Sequence, residues 1–347
     1  MIWLTWRQFR AQSIVTAAAL AVLAVVLLIT GLQLAHLYDA SGLATCHAHG
    51  DCETLTSRFT DELGSGAAYK PLFFVGLAVL YLTPALIGLF WGAPLITREL
   101  ETGTFRLAWN QSVTRTRWMA VKLGLIGLAA MAATGLFSLM ITWWAGPIDR
   151  VTTSGHGGQG TTSFTRLDPL VFDARGITPI GYAAFAFALG VTAGVLIRRT
   201  LPAMAATLAA FAAVQIAWPN WIRPHLITPV RAILPLNAGN LSGLMITNNS
   251  TMTVIGAVTK PGAWILSNQT VGTTGHLFTG PVPHVCLSGS FQACTQALGG
   301  LHLRQLLTYQ PASRFWAFQW YETAIFLAIA VALAGLCFWR IRRRRLF

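Results

Sequence analysis

Residues 98–122, RELETGTFRLAWNQSVTRTRWMAVK, form a charged island between two long apolar runs. Charged residues make up 10% of the whole chain. Seven of them lie in this island: Arg98, Glu99, Glu101, Arg106, Arg115, Arg117 and Lys122. A simple solvated connector can be far shorter, so the island favours a docking surface for a soluble partner. We expect a short helix over 98–109, broken at Gly103 and lying along the membrane surface.

The rest of the composition indicates a membrane protein. The chain has 347 residues, of which 54% are hydrophobic and thirteen are Trp, and a membrane helix needs about 20 apolar residues. We predict an all-α polytopic membrane protein with six transmembrane helices, at 14–37, 72–96, 118–145, 177–197, 201–218 and 321–339. The first apolar run is too long for the core of a cleaved signal peptide, so the first helix is expected to stay.

Charge predicts the orientation of these helices. With both termini in the cytoplasm, the inner segments hold 14 basic residues and two acids, whereas the longer outer segments hold ten basic residues and nine acids. This distribution satisfies the positive-inside rule. The net charge of +13 therefore indicates contact with anionic lipid headgroups, and nucleic acid is not an expected partner.

Cysteine positions agree with this orientation. Cys46 and Cys52 fall in the first outer loop, and Cys286 and Cys294 fall in the last. Two close pairs on the oxidising side indicate two disulfides. The alternative is a metal site, because residues 46–52, CHAHGDC, gather several ligand types. We favour disulfides and predict no metal, since nothing else in the chain converges on such a site.

The predicted organisation has three parts. Residues 1–218 carry spans one to five with an inner loop at 97–117, and their first 13 residues form an interfacial helix or a simple extension of the first span. Residues 219–320 form a large extracellular segment, with short strands expected at 251–258 and 262–266. Residues 321–347 contain the sixth span and a basic cytoplasmic tail.

Few polar motifs point to chemistry. Glu322 lies at a span boundary, where an acid is a candidate functional group. We favour the alternative of a snorkelling charge or a charge at the helix N-terminus, with Arg314 as its partner. Gly190 and Gly194 form a small-residue pair that permits close helix packing. The chain has no phosphate-binding Gly-x-x-x-x-Gly-Lys-Ser/Thr motif and no converging catalytic residues. We therefore predict a protein that is driven by another component and is not itself an enzyme.

The charged island resembles the inner loop of permease subunits of ABC transporters of the type-2 exporter class. The loop of that family reads Arg-Glu-x-x-x-Gly-Thr, followed by a Leu, a Ser, an Arg and a Lys. The matching residues are Arg98, Glu99, Gly103, Thr104, Leu107, Ser112, Arg115 and Lys122, whereas Val113 replaces a frequent Pro. Residues 309–319, YQPASRFWAFQ, resemble actinobacterial members.

The resemblance implies a function and its partners. Residues 97–117 would be the coupling loop that docks on a separate ATP-binding subunit, which would hold ATP and magnesium. The coupling residues would be Arg98, Glu99, Glu101, Gly103, Thr104, Arg106 and Arg115. Two permease copies in the plasma membrane would export a drug-like, lipid or peptide substrate. The alternatives are a non-transporting membrane sensor or assembly protein, and a secondary transporter.

Overall fold

A computed structural model describes residues 2–43, 46, 52–65, 69–103, 114–153, 165–236, 241–247, 251–256, 260–273, 275–288 and 290–343. Within these residues, six helices are long and apolar enough to cross a membrane. We call them spans one to six: Ser13–Ala40, Tyr69–Glu99, Thr116–Trp144, Thr178–Ile197, Thr200–Leu226 and Ala312–Arg343. They confirm the prediction of an all-α, six-span membrane protein.

Spans two, five and six are each built from more than one helical segment. The helices are Ile2–Ala40, Cys52–Ser65, Tyr69–Leu86, Pro94–Thr102, Arg115–Trp144, Gly146–Thr153, Pro169–Phe172, Thr178–Ile197, Thr200–Ala217, Arg223–Leu226, His284–Ser288, Phe291–Gly299 and Phe315–Arg343. Two π-helical segments, Ile87–Gly92 and Trp218–Ile222, continue spans two and five, and a 3-10 turn, Ala312–Arg314, opens span six. Spans two and five therefore carry a local widening of the helix.

Two helix boundaries bear on the sequence prediction. The N-terminal residues form one continuous helix with span one, Ile2–Ala40. Span five runs to Leu226, so the predicted end at residue 218 lies inside it. Its helix continues past Pro219 because a π-helical turn rearranges the backbone hydrogen bonds there.

Span four is the centre of the membrane region. It is 72% buried within the protein, compared with 39% for span three and less for the others. Span two approaches it closely through glycines: a Cβ atom on Gly92 would lie 2.7 Å from the Phe187 carbonyl oxygen, and one on Gly194 would lie 2.8 Å from the Ala93 carbonyl oxygen. The pair Gly190 and Gly194 thus packs against span two of the same chain.

The segment between spans five and six forms a small β-rich domain. Its strands are β1 (Val230–Pro235), β2 (Leu241–Thr247), β3 (Thr251–Gly256), β4 (Trp264–Val271), β5 (Gly280–Pro281) and β6 (Arg304–Gln310). They form two antiparallel three-stranded sheets, in the orders β1-β6-β4 and β2-β3-β5. Side chains connect the sheets, because Thr270 donates to the Val254 carbonyl oxygen and Gln305 donates to that of Gly256.

Both predicted disulfides are present. Cys46 bonds to Cys52, with the Cα atoms 5.9 Å apart, and Cys286 bonds to Cys294, with the Cα atoms 4.6 Å apart. The fifth cysteine, Cys337, is buried in span six as a free thiol. The other ligands of the alternative metal site, His47, His49 and Asp51, lie outside the described residues.

The contact between spans two and four predicts the effect of a single methyl group. Gly190→Ala should lower stability by about 1–3 kcal/mol, because its Cβ would meet the backbone of residues 88–93, which cannot move aside cheaply. Gly335→Ala is the matched control, since no atom lies within 4 Å of its Cβ position. Thermal unfolding of the purified chain measures both, and equal midpoints for the two variants would contradict the packing.

Candidate functional site

A buried charge cluster joins the ends of spans four, five and six on the predicted outer side. Arg223 is its centre and is 1% exposed, while Glu322 is fully buried and Asp173 is 3% exposed. The Arg223 Nε atom donates to Glu322 Oε1 at 2.5 Å, and its Nη2 atom donates to Glu322 Oε2 at 3.1 Å. The same Nη2 atom also forms an ion pair with Asp173 Oδ1. One guanidinium group therefore binds two carboxyl groups.

Neutral side chains complete the cluster. The Tyr182 hydroxyl lies 3.0 Å from Asp173 Oδ1 and 3.2 Å from Glu322 Oε2. Because a phenol has one proton, it can donate to only one of these oxygens at a time. Trp218 donates its indole N–H to Glu322 Oε1 at 2.7 Å, and Tyr81 of span two lies 3.3 Å from Asp173 Oδ2.

The charges in the cluster do not balance when both acids are ionised. An isolated buried charge costs several kcal/mol even after the protein relaxes, and Arg223 neutralises one carboxylate. Burial raises the pKa of the Asp173 carboxyl, against the opposing effect of the Arg223 charge. Two carboxyl groups and one guanidinium in a dry site thus favour the uptake of one proton.

The π-helical turn in span five explains how two of these residues share a face. Five residues separate Trp218 from Arg223, which places them about 140° apart around an ordinary α-helix. Here the Arg223 backbone N–H donates to the Trp218 carbonyl oxygen, a hydrogen bond between residues five apart. This wider turn brings both side chains toward Glu322.

The loop before span four is held by span six. Gln319 Oε1 accepts hydrogen bonds from the backbone N–H groups of Ile177, at 2.8 Å, and Thr178, at 2.9 Å. These are free donors at the start of span four, and a side-chain acceptor satisfies them as an N-cap does. Gln319 Nε2 also donates to the Phe172 carbonyl oxygen. The position of Asp173, which follows directly, depends on these bonds.

The structure revises the interpretation of Glu322. It was recognised in the sequence as a candidate functional acid, but the snorkelling interpretation is wrong because the side chain is fully buried. Its partner is Arg223, whereas Arg314 donates to the Thr228 carbonyl oxygen and Gln310 Oε1. Sequence reasoning missed Asp173 and Arg223. The available signal was the position of each charge next to apolar residues, in PLVFDARG and WPNWIRPHL.

On the predicted cytoplasmic side, two of the proposed coupling residues contact other spans. Glu99 forms an ion pair with Lys122 of span three, whose ammonium group lies 4.8 Å from the centre of the Trp118 ring. Glu101 accepts hydrogen bonds from the Thr200 backbone N–H at 2.8 Å and from the Thr200 hydroxyl at 2.7 Å. Glu101 therefore caps span five from the end of span two.

The structure describes three of the remaining coupling residues: Arg98, Gly103 and Arg115. Arg98 is exposed, and its helix ends at Thr102 because Gly103 adopts a left-handed conformation with φ of 71°. Arg98 to Thr102 thus continue the helix of span two and do not form a helix of their own. Arg115 begins the next helix. Thr104 and Arg106 lie outside the described residues.

Comparison with known families assigns the chain to a class. The family model described as ABC-2 membrane transporter related matches residues 17–223, more than half of the chain, and the chain belongs to this family. It is accordingly a multi-pass plasma-membrane protein and a transmembrane permease of an ABC transporter. The match includes Asp173, Tyr182 and Arg223 and ends before the β-rich domain and Glu322. Neither curated proteins nor solved structures give a match.

Removing the guanidinium group of Arg223 should lower the stability of the protein. Arg223→Met keeps an unbranched side chain but leaves two buried carboxyl groups without their cation, so we expect a loss of about 3–5 kcal/mol in stability. Arg231→Met is the matched control, because Arg231 is exposed on β1. Thermal and denaturant unfolding of the purified chains compares them. Wild-type stability in the Arg223 variant would contradict the assigned role.

Proposed function

We propose that this chain is the membrane-spanning subunit of an ATP-driven exporter. A separate ATP-binding subunit docks on residues 97–117 and supplies ATP and magnesium, and a second copy of the permease completes the transport path. Closure of the ATP-binding subunits on ATP then switches the path from inward-facing to outward-facing. The family match over residues 17–223 supports this role, and the absence of a phosphate-binding motif in the chain agrees with an external source of energy.

The observation that carries the proposal is the attachment of the inner end of span two. Glu99 binds Lys122 of span three, and Glu101 caps span five at Thr200. A subunit that pushes on the neighbouring loop would therefore move the inner ends of three spans together. A solvated connector with no partner has no need of these two contacts.

A cleft among spans one, two and three supports a lipophilic cargo. Its volume is about 310 Å³, and its lining is apolar except for the hydroxyl groups of Thr16 and Thr83 and the indole N–H of Trp91. Leu20, Phe90 and Phe137 are among the apolar side chains that face it. Such a surface favours hydrocarbon or aromatic groups and offers no partner to a charged one. Lipid-like and drug-like substrates fit it better than a polar peptide.

The docking claim is tested with two basic residues of the loop, Arg98, which is exposed, and Arg106. We expect Arg98→Glu combined with Arg106→Glu to reduce copurification with the ATP-binding subunit at least tenfold, which corresponds to about 1.4 kcal/mol. Reversing Glu99 or Glu101 is a poorer test, since both hold spans together. Stimulation of ATP hydrolysis by the permease should fall in parallel.

The matched control is Arg231→Glu, which reverses an exposed charge on the predicted outer side and should leave both readouts unchanged. Undiminished copurification and ATP hydrolysis in the Arg98 and Arg106 variant would overturn the docking surface. If the wild-type pair associates but moves no substrate, the chain is a sensor or assembly protein. Substrate movement that needs no ATP would indicate a secondary transporter.

A further inference from the structure

We propose that Asp173, Tyr182, Arg223 and Glu322 form a proton-binding site, in which the two carboxyl groups share one proton while the ends of spans four, five and six are packed together. This inference does not depend on an ATP-binding partner. It concerns a group of residues outside the coupling loop, and its ligand is the hydrogen ion.

The geometry requires the two carboxyl groups to titrate together. Asp173 Oδ1 and Glu322 Oε2 both lie within hydrogen-bond distance of the Tyr182 hydroxyl, at 3.0 and 3.2 Å. Both groups also contact the same nitrogen of Arg223. Since the phenol has one proton to donate, one carboxyl group lacks it at any moment. Groups in such contact release their protons as a pair and not independently.

The charges that face the site leave one acid without a cation. Each packed element contributes one titratable group: Tyr81 from span two, Asp173 from the loop, Tyr182 from span four, Arg223 from span five and Glu322 from span six. In the described part of the chain, no second basic residue bonds to either acid. The next buried arginine, Arg175, instead donates to the Ile141 carbonyl oxygen and lies 4.0 Å from Asp149.

Burial favours the protonated form of one carboxyl group in the cluster. In water at pH 7, the ionised form of a glutamic acid outnumbers the protonated form by about 500 to 1. Buried acids with pKa values of about 8–9 show that a dry environment can reverse this preference. Asp173 and Glu322 are both almost completely buried, and burial raises the pKa of Asp173. With one shared proton, the cluster contains one carboxylate and one guanidinium and is electrically neutral.

Because the packed cluster binds a proton, the packing of the outer ends of the spans depends on pH. Separation of the outer ends would hydrate the cluster, and a hydrated carboxyl group releases its proton at neutral pH. The packed arrangement binds more protons than the separated or unfolded one, so its stability must fall as the pH rises. Acidification on the predicted outer side would therefore favour the packed arrangement.

Infrared spectroscopy of the full chain in lipid nanodiscs detects the shared proton directly. We expect a C=O stretch of a protonated carboxyl group at neutral pH, which disappears at alkaline pH and is missing from the double variant Asp173→Asn with Glu322→Gln. If the wild-type chain shows no such band at neutral pH while folded, both acids are ionised and the proposal fails. That result needs no variant to fold.

The pH dependence of thermal unfolding gives a second test. As the pH rises from neutral to alkaline, the wild-type midpoint should fall. Glu322→Gln should flatten this slope because its amide stays neutral. Asp61→Asn, at an exposed acid of the helix Cys52–Ser65, should keep the wild-type slope. An unchanged slope in Glu322→Gln would overturn the shared proton.

Discussion

The hydrogen bonds from Arg223 to Asp173 and Glu322 fix the arrangement of the outer half of this protein. Charges buried away from water are tolerated only when they are paired, and these three residues come from a loop and two different spans. Span five can therefore end only where Arg223 reaches both acids. The β-rich domain begins and ends on the same helices: β1 starts four residues after Leu226, and β6 ends just before span six. Its attachment points are thus set by the cluster.

Side chains at both ends of the bundle also bind the free backbone N–H groups at the start of a neighbouring helix. Gln319 on the outer side and Glu101 on the inner side each supply an acceptor to the start of another helix. These bonds satisfy backbone N–H groups that a helix cannot satisfy itself. On the inner side, Glu101 is exposed and Thr200 is half-buried, while the ion pair between Glu99 and Lys122 is largely buried. The charged residues of the outer cluster are all buried.

The close approach of spans two and four connects the two ends. Glycines at the contact bring the backbones together, and dispersion forces between closely packed helices replace the hydrophobic effect inside a bilayer. The π-helical segment Ile87–Gly92 lies on span two at this contact and also lines the apolar cleft. Such segments often mark functional positions in membrane helices. Movement of span two would consequently alter the cleft and the central span together.

The sequence was sufficient for the features that depend on local pattern. Apolar runs located the six spans, and close cysteine pairs located both disulfides. The strands near residues 251 and 264 followed from β-branched residues. Partners across the fold were harder: Glu322 stood out as a costly acid, but only the tertiary structure brings Arg223 to it from span five. The π-helical turn that makes this contact has no clear sequence signal beyond nearby prolines.

The most direct measurement is the stability of a variant that removes all three charges of the cluster. The triple variant combines Arg223→Met with Asp173→Asn and Glu322→Gln. We expect it to be more stable than Arg223→Met alone by about 1–3 kcal/mol, because it leaves no carboxyl group buried without its cation. Denaturant unfolding of both chains gives this difference. A triple variant that is less stable than Arg223→Met would show that the acids do not depend on Arg223, and would contradict the account.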